Sequence, residues 1–251
     1  MTQRVLQTTE DGVLTATLNR PEKKNALDQA MLDALHETLT TAELDPSVRV
    51  LALRGGSDFC AGMDLTELLE SRDRGTEENT RAASRFADLF LRMRHLAKPV
   101  VAIVRGRALA GGAGLATACD LVLAGESARF GYPEIARGFV PALVLGLLRR
   151  AVGEKLAFDL ASTGRVLTAR EALAAGLCSR VVPDDALDTE SRTVLGALAG
   201  SSGSALALLK REFYALERRS LEEGFALGAE VNALARTLPD FQAGLAAFLK
   251  R

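Results

Sequence analysis

Tryptophan is absent from this 251-residue chain, and only two tyrosines, two histidines and three cysteines are present. Each shortage excludes something. With aromatics at 5% against 48% hydrophobic residues, the core has to be built from aliphatic side chains. His36 and His95 leave little for a histidine-bound zinc site or a Ser-His-Asp hydrolase, and both read as structural residues of helices. Cys60, Cys119 and Cys178 have neither metal-ligand nor redox spacing. A sparse, odd set of this kind fits reduced, buried thiols in a cytosol. The formal net charge of −1 supplies no global basic field for nucleic acid or an anionic membrane. No apolar run reaches the roughly 20 residues of a membrane span. Residues 1–10 lack the basic-then-apolar order of a signal peptide, so the expected location is cytoplasmic.

What is present is an alternation of strand-like and helix-like segments. Residues 13–18 alternate as a half-buried strand, whereas 48–53, 100–104 and 121–124 are short apolar runs of the kind that form buried strands. Residues 27–44 and 82–97 carry apolar stripes at helical spacing, and Pro99 stops the second. Residues 113–118 fit a small, packed helix. The order argues α/β with mostly parallel pairing. After Pro183 the strand signal fades, and 204–216, 221–238 and 241–249 read as three amphipathic helices. A boundary within 188–202 divides a core of residues 1–190 from a C-terminal helical region, 191–251. The charged segment 70–80 reads as a solvated connection, either a mobile loop or a frayed helix.

Two stretches carry the chemistry: Phe59-Cys60-Ala61-Gly62-Met63-Asp64 and Leu109-Ala110-Gly111-Gly112-Ala113-Gly114-Leu115. Each follows an apolar strand-like run and reads as a small-residue turn opening a helix. Helix N-termini carry unsatisfied N–H donors and partial positive charge. Two such turns aimed at one point would stabilise negative charge on a carbonyl oxygen. That arrangement suits enolate chemistry on an activated acyl group.

With these stretches the chain resembles the crotonase family, also called the enoyl-CoA hydratase/isomerase family, over nearly its whole length. The resemblance is carried by Leu18-Asn19-Arg20-Pro21-Glu22-Lys23-Lys24-Asn25-Ala26-Leu27, by the two turns, and by Ala118-Cys119-Asp120. It continues through Tyr132-Pro133-Glu134, Val152-Gly153-Glu154-Lys155 and Ala172-Leu173-Ala174-Ala175-Gly176-Leu177. It implies a ββα spiral core followed by a helical region, a homotrimer or homohexamer, and an acyl-CoA thioester substrate with no separate cofactor.

By this resemblance the backbone N–H groups of Ala61 and Gly111 form the oxyanion hole, and Glu134 moves the proton. Glu134 sits among Phe130, Tyr132 and Ile135, company that disfavours its charged form and suits a general base. Ala61, Gly62, Met63 and Asp64 lie along the bound CoA, with Ala26 beside them, and Asp64 also reads as a helix N-cap. Arg20, Lys23 and Lys24 read either as charges attracting the CoA phosphates or as a solvated basic loop. Lys250 and Arg251 are candidates for a neighbouring subunit's nucleotide, and Asp120 for a structural role.

The departures lie at Gly114, where many hydratases of the family carry a second glutamate, and at Phe139-Val140-Pro141-Ala142-Leu143-Val144, which replaces a glycine-rich turn. A single carboxylate suffices to shuttle a proton between Cα and Cγ, so Gly114 strengthens an isomerase reading. The family as a whole favours hydration of 2-enoyl-CoA. Three readings stay open: hydratase first, Δ3–Δ2 isomerase second, and a non-catalytic acyl-CoA or protein-binding member of the fold third.

Overall fold

In the computed structural model, which describes residues 3–249, the apolar runs become the middle of a sheet. The strands are β1 (Val5–Glu10), β2 (Val13–Leu18), β3 (Val50–Arg54), β4 (Val100–Val104), β5 (Arg107–Leu109), β6 (Leu121–Gly125), β7 (Arg129–Gly131), β8 (Val166–Thr168) and β9 (Arg180–Val182). Six of them form one sheet in the order β1-β2-β3-β4-β6-β9. β1 pairs antiparallel with β2, and every other neighbour in this sheet is parallel. β5, β7 and β8 form a second, small sheet. The helices are α1 (Gln29–Leu44), α2 (Leu65–Glu70), α3 (Thr76–His95), α4 (Gly111–Ala118), α5 (Ala142–Val152), α6 (Glu154–Thr163), α7 (Ala169–Ala174), α8 (Leu187–Gly200), α9 (Gly203–Ala215), α10 (Leu221–Thr237) and α11 (Pro239–Phe248). Among the described residues no single helix is long and apolar enough to cross a membrane.

The central strands read as unbroken apolar runs because both faces are covered. On β3, Leu51 and Leu53 face a large core shared with α1, α3 and α4, whereas Val50 and Ala52 face a smaller one closed by Leu187, Val194 and Leu195 of α8. Burying each such leucine stabilises the fold by about 1.5–3 kcal/mol. α8 fills the segment where a division was expected, so the 190/191 boundary falls inside a helix packed on the sheet. Its small residues and polar outer face leave it only a short apolar stripe.

Two helix starts differ from the periodicity. α1 begins at Gln29 because Asp28 caps it, accepting the Met31 N–H at 2.8 Å, while Leu27 is used instead in a bridge to Met63. α3 begins at Thr76, not near residue 82. Its first turns are solvent-exposed and carry Glu77 and Glu78, which suit a helix N-terminus, and Arg81 pairs with Glu77. Segment 70–80 is thus shared between the end of α2, a 3-10 turn and the start of α3.

α9 is pinned to the core through its buried Lys210. Lys210 is 8% exposed, donates to the carbonyls of Met93 and Lys98, and pairs with Asp120 at 2.7 Å. Tyr214 donates to the other Asp120 oxygen at 2.7 Å. Asp120 is therefore a structural junction between the loop before β6 and the C-terminal helices.

Candidate functional site

The first turn, residues 59–64, is held from the side by the loop before α1. Lys24 and Asn25 both have positive φ, 53° and 55°, a region that asparagine tolerates better than most residues. The buried Asn25 carboxamide donates to the carbonyls of Asp58 (2.8 Å) and Phe59 (3.2 Å) and accepts the Arg20 N–H (2.9 Å). Leu27 then pairs with the turn in parallel: its N–H donates to Gly62 O, and the Asp64 N–H donates to Leu27 O. Asp64 caps α2 by accepting the Thr66 N–H at 2.7 Å. Cys60 is fully buried, and burial pushes its thiol up to about 12, so it stays protonated and inert.

This bonding overturns one expectation. The Ala61 N–H is not free: it donates to Lys24 O at 3.0 Å. The amide on this turn without an acceptor among the described residues is that of Met63, two positions on. Local spacing cannot show this, because the Lys24 carbonyl arrives from another loop.

The second turn joins β5 to α4 through Ala110, whose φ of 52° and ψ of −125° are strained for a residue with a side chain. The Ala110 N–H donates to Gly131 O at 2.8 Å, tying this turn to β7. Gly111 opens α4, and its N–H has no acceptor among the described residues. The two turns touch. A β-carbon on Gly112 would lie 2.3 Å from Cys60 O, and one on Gly62 would lie 2.8 Å from the Ala110 methyl and 3.4 Å from the Gly111 nitrogen. Only glycine permits that approach. Phe86 of α3 packs on Gly111 from below, 3.0 Å from where a β-carbon would stand.

Glu134 reaches the same place through the small sheet. β5 and β7 pair in parallel with Leu109 opposite Gly131, so the chain leaves both strands at one end. Tyr132 is buried and shares a hydrogen bond with Thr117 of α4 at 3.1 Å. Glu134 follows in a 3-10 turn, Pro133–Arg137. It is half-buried, and its Oε2 is shielded from solvent with no hydrogen-bond partner among the described residues. Burial raises its carboxyl above the ordinary value, only partly opposed by its own N–H and by Arg137. A desolvated carboxylate is equipped to move a proton, and amides without an acceptor among the described residues can receive negative charge.

The remaining expected residues divide. Lys23 and Lys24 are exposed on the loop that bonds to the first turn, and Ala26 is buried. Arg20 is not a free cation. Its guanidinium is committed to Asp64, Asp28 and the Ala26 carbonyl. Gly114 is sealed: a β-carbon there would lie 2.1 Å from Val144 Cγ1 and 3.2 Å from Phe90 Cζ. Val144 belongs to the departing segment 139–144, whose Phe139 and Val140 are exposed beyond Glu134. His36 bridges α1 to Arg85 O and Arg92 of α3, a structural role. Lys250 and Arg251 lie outside the described residues.

The family profile described as enoyl-CoA hydratase/isomerase matches residues 8–251. At 43% identity, over 98% of both chains, the protein is similar to one from Thermus thermophilus whose enoyl-CoA hydratase name is itself provisional. It is 36% identical to the 2,3-dehydroadipyl-CoA hydratase of Escherichia coli, over 96% of this chain and 94% of that one. Among solved structures it superposes on an enoyl-CoA hydratase from Mycobacterium smegmatis with a TM-score of 0.94 at 36% identity, covering 98% and 96% of the two chains. The fold, the paired turns and these matches define a crotonase-fold protein. The chain belongs to the enoyl-CoA hydratase/isomerase family.

Proposed function

We propose that this protein stabilises the enolate of an acyl-CoA thioester, with the Met63 and Gly111 amides as the oxyanion hole and Glu134 as the proton carrier. The observation that carries this is the desolvated Glu134 oxygen, without a partner among the described residues, following the strand end that also anchors the Gly111 turn. The reaction we assign is reversible hydration of 2-enoyl-CoA. Glu134 takes a proton from water as the hydroxyl adds to Cβ. The Cα–Cβ π pair moves between Cα and the thioester carbon, and the carbonyl π pair moves onto the thioester oxygen, where the two amides stabilise the negative charge. Glu134 then returns the proton to Cα. The hydratase names of the relatives support this choice. The exposed Lys23 and Lys24 support attraction of the CoA phosphates, and Phe139 and Val140 support an aliphatic acyl tail. No group beyond the substrate's own coenzyme A is required. Exposed Phe213, Phe225 and Phe248 on α9 to α11 support assembly into a homotrimer or homohexamer, which the solution mass tests.

The sealing of Gly114 favours a second reading, Δ3–Δ2 isomerisation, in which Glu134 alone removes the proton at Cα and returns it at Cγ. Assaying crotonyl-CoA and 3-hexenoyl-CoA side by side separates the two. Loss of enoyl absorbance supports hydration, and gain of conjugation supports isomerisation. Binding without turnover of either would favour a non-catalytic acyl-CoA or protein-binding member of the fold.

A further inference from the structure

Arg20 sits behind the first turn and does not face solvent as a phosphate ligand would. Its side chain is 11% exposed and that of its partner Asp64 is 5% exposed. Nη1 lies 2.5 Å from Asp64 Oδ2 and 3.1 Å from Ala26 O, and Nε lies 3.5 Å from Asp28 Oδ2. Asp28 and Asp64 are themselves the N-caps of α1 and α2. The residues just before them, Leu27 and Met63, are the bridged pair. One guanidinium therefore links the caps of two helices across the bridge that contains Met63.

We infer that Arg20 is a positioning residue: by joining Asp64 to Asp28 it fixes the direction of the Met63 N–H toward the thioester oxygen. This rests on the enolate reading above. The backbone on either side of that amide is already held, by Gly62 O and by the Asp64 N–H, both bonded to Leu27. What remains free is rotation of the turn about those two bonds, and the Asp64 side chain is the handle that stops it. A planar fork can hold three acceptors at fixed angles, whereas a lysine ammonium is a single point of charge on a flexible stem.

The test uses Arg20→Lys, which keeps the charge, and Asp64→Asn, which keeps the oxygen that caps Thr66. Each is compared with wild type per folded molecule on a CoA thioester and on the corresponding pantetheine thioester, which lacks the nucleotide phosphates. Both variants should lose kcat by about 10- to 100-fold, the scale expected when a reacting group is misplaced by about an ångström. KM should change little, and the loss should be equal for the two thioesters. The infrared carbonyl stretch of bound butyryl-CoA, shifted down in wild type, should move back toward its solution value. Unchanged kcat and carbonyl shift in both folded variants would overturn the inference. A loss confined to the affinity for the CoA thioester would also overturn it, because Arg20 would then be serving the phosphates. If wild type itself produces no carbonyl shift, the enolate reading fails first.

Discussion

Gly114→Glu, made alone, should damage the site instead of improving it. An ideal β-carbon at 114 lies 2.1 Å from Val144 Cγ1, 3.1 Å from Val144 Cβ and 3.2 Å from Phe90 Cζ. Both neighbours are nearly inaccessible, Val144 at 3% and Phe90 at 4%, so neither can swing outward freely. In an open helix, glycine to alanine gains about 1 kcal/mol. Overpacking here costs about 1–3 kcal/mol, so Gly114→Ala should fall between neutral and about 2 kcal/mol destabilised. Val144→Ala removes the offending Cγ1 at about 0.8 kcal/mol for each of two lost carbons, plus a cavity cost. In the double variant the new methyl occupies the vacated space. The singles and the double, measured by urea unfolding, should therefore couple favourably by about 1–2 kcal/mol. On that background Gly114→Glu/Val144→Ala should raise the ratio of crotonyl-CoA hydration to 3-hexenoyl-CoA isomerisation relative to Val144→Ala. Each tenfold gain corresponds to about 1.4 kcal/mol of transition-state stabilisation. An additive cycle would show that Val144 is not the obstacle. An unchanged ratio in a folded double variant would remove Gly114 from the choice of reaction.

Glu134→Gln should cost about 10²- to 10⁴-fold in kcat with CoA-thioester affinity retained, and near-normal turnover would dismiss Glu134 as the proton carrier. Because burial raises its carboxyl above 4.5, the acid limb of kcat should lie above the ordinary carboxylate range. Turnover should fall as pH drops through it. Its stability linkage has the opposite sense. The folded state holds the proton more tightly, so stability falls as pH rises from about 4.5 through the raised value and is level beyond it. Glu134→Gln should remove that slope and raise Tm at pH 7, both readable by thermal melts across pH. Gly111→Pro removes one amide donor and should cost roughly 10²–10³-fold in rate. Circular dichroism must first show that the 3.0 Å approach to Phe86 is tolerated. Asn25→Ala deletes three hydrogen bonds and places alanine at a φ of 55°. It should destabilise by about 2–4 kcal/mol in urea unfolding, and a loss below about 1 kcal/mol would mean the loop is held by other contacts.

Much of the frame was legible from residues alone. β3, β4 and β6 are short apolar runs because they are covered on both sides, and α1 announces itself by buried positions at Met31, Leu35, Leu39 and Ala42. Elements whose stability comes from elsewhere were not legible. β5 is three residues long and exists because β7 pairs with it. The first turns of α3 have no apolar face to reveal them, and α8 shows only the modest stripe needed to close one side of the sheet.

The site divides in the same way. By itself the sequence determined that two small-residue turns open helices, that Glu134 stands in apolar company, and that position 114 carries no acid. Glycine placement, local polarity and residue identity are properties of short stretches of chain. Only the tertiary structure decided that the two turns touch, that the Ala61 N–H goes to Lys24 while that of Met63 has no acceptor among the described residues, and that Arg20 is buried against Asp64 and Asp28. It also decided that Val144 and Phe90 occupy the space beside Gly114. Each of those outcomes depends on an acceptor, a charge or a methyl group brought in from a distant part of the chain, and local spacing carries no record of what folding will place opposite a given atom.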